Sequence, residues 1–98
     1  MSYSRSTQRG CIAERMAANW LWSQGYEVFE NISHIGPIDL IALKDGTIIK
    51  IDVKVINSKY KDDLRSDVQK ELDVKYLFVD IEGNAFSWSM EEYYARPL

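Results

Sequence analysis

Two aspartates and a lysine occupy positions where a pair of strands should carry apolar side chains. Ile38-Asp39-Leu40-Ile41-Ala42-Leu43 and Ile48-Ile49-Lys50-Ile51-Asp52-Val53-Lys54-Val55-Ile56 both read as strands, joined by Lys44-Asp45-Gly46-Thr47. Asp-Gly between apolar runs is a strong signal for a two-residue hairpin loop. Lys44 then faces Thr47, and counting back sets Asp39 opposite Asp52. Side chains alternate along a strand, which puts Lys54 on the same face. Opposed residues have Cβ atoms roughly 4.5–5.5 Å apart, and like charges there are destabilising. A divalent cation bridging the two carboxylates would remove that cost.

A third carboxylate comes from the N-terminal part of the chain. Glu14 lies at the edge of an apolar helical stripe beside Ala17 and Ala18, small residues that let a helix approach a sheet closely. From there it can reach the face bearing Asp39 and Asp52. Three carboxylates on separate elements make a hard, oxygen-rich site suited to Mg²⁺ or Mn²⁺. Such an ion polarises a phosphate oxygen and acidifies water, while Lys54 can orient the attacking water or stabilise developing charge. Phosphodiester hydrolysis is the reaction class this chemistry favours.

These motifs resemble the PD-(D/E)xK nuclease superfamily. Gly36-Pro37-Ile38-Asp39 followed by Asp52-Val53-Lys54 matches its bipartite motif, and Gly10-Cys11-Ile12-Ala13-Glu14 matches its helical glutamate. Pro37 stands one residue further from Asp39 than the family name implies. The order of motifs and the chain's size are similar to archaeal Holliday-junction resolvases. The wording around Asp39 is similar to intron-associated endonucleases. Resolvases usually carry Glu where this chain has Asp52.

The resemblance implies a Mg²⁺- or Mn²⁺-dependent DNA endonuclease with a restriction-endonuclease-like αβββαβ core. Glu14, Asp39 and Asp52 would be metal ligands, and Lys54 and Gln69 would join them in catalysis. Arg5, Arg9, Lys50, Lys59 and Lys61 would contact DNA. Duplex or branched DNA is the expected partner, with pairing into a homodimer or higher oligomer so that both strands can be cut. The alternatives are a sequence-specific homing or restriction-type enzyme, a non-catalytic DNA-binding subunit, or a hydrolase of small phosphoesters.

The elements that must position these residues are legible in outline. Gln8 to Gln24 reads as an amphipathic helix with Ile12, Met16 and Trp20 at four-residue spacing, flanked by Ala13, Ala17 and Leu21, and stopped by Gly25. Tyr26 to Glu30 reads as an edge strand, followed by a loop over Asn31 to Pro37 and then the hairpin. Asp62 or Asp63 is expected to cap a second helix bearing Leu64, Val68 and Leu72. Tyr76 to Ile81 reads as a central strand running parallel to its predecessor, because a helical crossover separates the two. Gly83-Asn84 turns into a short strand at Phe86 to Trp88, and Met90 to Tyr94 reads as a helical turn.

Ninety-eight residues, 46% hydrophobic and 28% charged, suit one folded domain. No apolar run approaches the ~20 residues needed to cross a bilayer, and the start lacks the apolar core of a signal peptide, so a cytoplasmic location is expected. The one cysteine, Cys11, is expected as a buried, inert thiol, and one Cys with one His argues against structural zinc. Net charge is −3. Arg5, Arg9, Arg15, Lys54, Lys59, Lys61 and Arg65 suggest a basic pole, and Asp80, Glu82, Glu91 and Glu92 an acidic one.

Overall fold

The computed structural model describes residues 5–56 and 65–89. Elements follow the order α1 (Arg5–Ser23), β1 (Glu27–Glu30), β2 (Leu40–Lys44), β3 (Thr47–Val55), α2 (Asp67–Glu71), β4 (Lys75–Asp80) and β5 (Ala85–Ser87). The strands form one five-stranded sheet in the order β1-β2-β3-β4-β5. Only the β3–β4 pair is parallel, so the sheet is mixed. β1 lies at an edge and β4 in the interior, as their polarity patterns predict.

The hairpin has the register expected from its turn, with Lys44 paired to Thr47 and Leu40 to Ile51. Asp45 (φ 51) and Gly46 (φ 79) both adopt positive φ, the requirement of a type I′ turn. That register carries Leu40, Ala42 and Ile51 into the buried core beneath α1, together with Leu77 and Val79. Lys50, Asp52 and Lys54 therefore project from the opposite face.

Helix α1 covers the inner face with Ala13, Ala17 and Leu21, all fully buried. The buried stripe is thus centred on the residues expected to flank it, one position on from Ile12, Met16 and Trp20. Alanines admit the sheet closely, so the larger side chains flank the contact. Met16 and Trp20 pack at its edge, while Ile12 is about half exposed. Trp20 stacks on Phe86 of β5 with ring centroids 4.9 Å apart. The same phase leaves Cys11 exposed, correcting the expectation of a buried thiol. Gly25 (φ 94) ends the helix, where Tyr26 N–H reaches Leu21 O at 3.1 Å and Gly25 N–H reaches Trp22 O at 3.0 Å. This is the paired bonding of a Schellman cap.

Helix α2 is capped by Ser66 rather than by the expected Asp62 or Asp63: the Ser66 side chain accepts from Gln69 N–H while the Gln69 side chain accepts from Ser66 N–H, a complete capping box. Asp62, Asp63 and Leu64 lie outside the described residues, as do Lys59, Lys61 and Met90 to Tyr94. Val68 and Leu72 are exposed, and the helix instead turns Gln69 inward. The expected apolar stripe is therefore replaced by a buried amide. Among the described residues no helix is long and apolar enough to cross a membrane.

Candidate active site

Asp39 sits one residue before β2, where the regular ladder stops. Its N–H donates to Ile51 O at 2.8 Å and its carbonyl accepts from Asn31 N–H at 3.0 Å, so its backbone is held from both sides. It does not complete a backbone rung with Asp52. Its carboxylate Oδ2 instead accepts the Val53 N–H at 2.8 Å. That bond points the side chain at the neighbouring strand.

Asp52, buried on β3, accepts at Oδ2 from Gln69 Nε2 (2.7 Å) and lies 3.4 Å from Lys54 Nζ. The Lys54 ammonium also lies 5.2 Å from the centre of the Tyr76 ring, a cation–π contact with the residue paired to Asp52 on β4. Gln69 Nε2 makes a second donation to Pro37 O at 3.1 Å. One amide thus joins the loop before Asp39, the strand bearing Asp52 and the cap of α2.

The carboxyls crowd one another. Asp39 is pushed up to about 7, chiefly by burial and then by hydrogen bonding to Asp52, against the opposing pull of the Val53 N–H. Glu14 is also raised, first by burial. His34 and a hydrogen bond with Asp39 work against that rise, while Glu30 and Asp52 add to it. Glu14 therefore lies within hydrogen-bonding reach of Asp39, although α1 covers the face of the sheet opposite to the one bearing Asp52. It also lines a cleft of about 160 Å³ with Arg15, Ala18, Asn19, Glu30 and Leu40.

Among the described residues, no group of three or more His, Cys, Asp or Glu side chains is arranged to hold a metal ion. Within the protein Asp39 Oδ2 accepts the Val53 N–H, and Asp52 Oδ2 accepts from Gln69 and lies beside Lys54, while the carboxyls also hydrogen-bond with one another. The donor chemistry nevertheless fits a hard divalent cation. The donors are carboxyl oxygens, half-buried or buried, and a cation would offset the burial and mutual crowding that push Asp39 up to about 7.

Three of the other described cations, Arg9, Lys50 and Arg65, are engaged elsewhere. Arg9 makes a bidentate pair with Glu82 at 2.8 and 3.4 Å, so the two expected charge poles meet across the fold. Lys50 Nζ donates to Leu72 O at 3.0 Å, at the C-terminal end of α2. Arg65 Nη1 donates to Val74 O at 3.1 Å. Arg5 opens α1.

Two contributors escaped the sequence reading. Ser66, which orients Gln69, was signalled by Ser66-x-x-Gln69 immediately before a helix. Asn31 wires the loop ahead of Asp39, and only its position after a strand hinted at this.

The fold and the site together define a restriction-endonuclease-like core with a PD-(D/E)xK-like motif set. The architecture is similar to that of a solved bacterial homing endonuclease, I-Ssp6803I, with a TM-score of 0.67 and 16% identity, covering 97% of this chain and 72% of that one. At that identity the likeness concerns the fold alone. The chain belongs to the uncharacterised protein family UPF0102, whose profile matches residues 13–76. A UPF0102 protein of Campylobacter fetus subsp. fetus is 41% identical over 54 residues, which cover 53% of this chain and 48% of that relative. The match thus spans about half the length of the curated relative.

Proposed function

We propose that this protein is a metal-dependent DNA endonuclease acting on branched or otherwise distorted DNA, and that it works as a homodimer. The observation that carries the reading is the close approach of the Asp39 carboxyl, just ahead of β2, to Asp52 on β3, with Lys54 3.4 Å from Asp52.

Asp39 and Asp52 would hold a Mg²⁺ or Mn²⁺ ion, with the Glu14 carboxyl beside them. When bound, the ion supplies Lewis-acid polarisation of a phosphate oxygen and acidifies water. Gln69 fixes the Asp52 carboxylate, and the Val53 N–H fixes that of Asp39. Lys54 brings a positive charge to the phosphate as negative charge develops on its oxygens. In the overall reaction water forms the new P–O bond, the bond to the 3′-oxygen breaks, and the leaving oxygen takes up a proton. The products are a 5′-phosphate and a 3′-hydroxyl.

A second reading is a sequence-specific enzyme, favoured by the fold's likeness to a homing endonuclease. A non-catalytic DNA-binding subunit has no need of two acids and a lysine clustered on one face. Incubating the purified protein with supercoiled plasmid, linear duplex and four-way junctions, in Mg²⁺ or in EDTA, separates these readings. Mg²⁺-dependent cutting concentrated on the junction supports the proposal. Binding without cutting in Mg²⁺ and Mn²⁺ overturns it.

A further inference from the structure

The loop over residues 31–39 is tightly built for a surface segment. Asn31 Nδ2 donates to Ile35 O and to Ile38 O, both at 2.9 Å. Asn31 Oδ1 accepts from Ser33 N–H at 3.0 Å and Ser33 Oγ–H at 2.8 Å. The Gln69 bond to Pro37 O at 3.1 Å ties the far end of the loop to Asp52. His34 (φ 59) and Gly36 (φ 115) take left-handed conformations that close the turn. Yet this ordered loop leaves Ile32 92% and Ile35 80% exposed.

Nothing in the core requires isoleucine at those positions, and exposing two β-branched apolar side chains has a hydration cost. The segment Asn31-Ile32-Ser33-His34-Ile35-Gly36-Pro37-Ile38 carries no Lys or Arg, so it offers no fixed cation to phosphates. It leads directly into Asp39. A DNA strand whose phosphate reaches Asp39, Asp52 and Lys54 must pass beside this loop. Apolar side chains on a rigid support are suited to entering between base steps, which unstacks and kinks the helix.

We infer that the loop over residues 31–39 is a wedge that inserts Ile32 and Ile35 into the base stack beside the scissile phosphate. The inference rests on the nuclease reading and deepens it. The wedge makes deformability, or a pre-existing break in stacking, the feature by which DNA is chosen. The Asn31 hydrogen bonds set the loop in advance, so little conformational freedom is lost on insertion.

The test uses duplex and four-way-junction DNA carrying 2-aminopurine, whose fluorescence rises on unstacking. Asp52→Asn protein serves as the background, to prevent cleavage. Binding is expected to raise the fluorescence. Adding Ile32→Ser and Ile35→Ser should abolish the rise and weaken binding by roughly tenfold per isoleucine. Ile48→Ser, another exposed isoleucine, at the far end of the hairpin, should preserve both. Thermal melts check that each variant folds, and light scattering gives its mass.

An unchanged fluorescence rise in the double serine variant overturns the wedge. So does conversion of a dimer to a monomer by those substitutions, which would make the isoleucines a contact between protein copies. If the unmodified protein cuts plasmid but never unstacks the reporter, the wedge fails and the nuclease reading stands. If it neither binds nor cuts any DNA in Mg²⁺ or Mn²⁺, both fail.

Discussion

Gln69 cannot turn away from Asp52. Its Nε2 donates to Asp52 Oδ2 at 2.7 Å and to Pro37 O at 3.1 Å, while its Oε1 accepts the Ser66 N–H at 3.0 Å. Flipping the amide would set oxygen against a carboxylate and a carbonyl, and NH₂ against an N–H. Capping of α2 therefore also orients Asp52. Gln69→Leu strips all three partners and is expected to destabilise the protein by about 1–3 kcal/mol, measured by urea unfolding. Ser66→Ala removes the cap alone and is expected to cost about 1 kcal/mol.

Asp52→Ala is expected to reduce plasmid nicking in Mg²⁺ by at least roughly two to three orders of magnitude, the scale seen when a group stabilising the transition state is lost. Gln69 keeps its bond to Pro37 in this variant, so the fold should survive, as far-ultraviolet circular dichroism would report. Activity equal to the parent's would remove Asp52 from the mechanism.

Metal-free stability is expected to depend on pH through Asp39. Its folded pKa of about 7 lies above the ordinary carboxylate range, so the native state binds more protons than the unfolded chain between about pH 4 and 7. The stabilising contribution of the protonated form is therefore full at low pH and is lost as pH rises through 7. Asp39→Asn keeps an oxygen for the Val53 N–H and removes the charge. In EDTA at pH 8 it should stabilise the protein by on the order of 1 kcal/mol after solvent screening, and it should flatten the Asp39 part of the pH dependence. Mg²⁺ should raise the Tm of the parent more than that of the Asp39→Asn variant, and equal shifts would speak against a shared metal site.

Asn31→Ala removes four hydrogen bonds that shape the loop before Asp39 and is expected to cost about 1–3 kcal/mol. Native-state hydrogen exchange should show faster exchange at Ser33 and Ile35, with the core strands little changed.

Glu82→Gln frees the Arg9 guanidinium from its ion pair. If Arg9 then meets a phosphate, DNA affinity rises and the slope of log K against log salt steepens by about one contact. An unchanged slope would place Arg9 off the DNA path.

Much of this was legible in the sequence because it was local. Asp45-Gly46 set the hairpin register, and the helical crossover made β3 and β4 parallel. The phase of α1 was less accessible, since alanines score as weakly apolar yet win the contact by letting backbones approach. Extending the ladder sets Asp39 opposite Asp52. The structure breaks the ladder there because the Asp39 carboxylate takes the Val53 N–H for itself. The burial of Gln69 needed knowledge of long-range partners, as its contact with Pro37 spans 32 residues.

The one parallel pairing in the sheet also imposes an order of assembly. Asp39 and Asp52 belong to a single hairpin, and hairpins close within about 1–10 μs. The β3–β4 pair must first close the longer crossover through α2, which is slower. The two carboxylates are therefore expected to meet before Gln69 arrives to hold one of them. If the two aspartates hold a divalent ion as proposed, that ion is expected to speed folding itself rather than only retard unfolding, because the repulsion it would cancel is already present in the early hairpin.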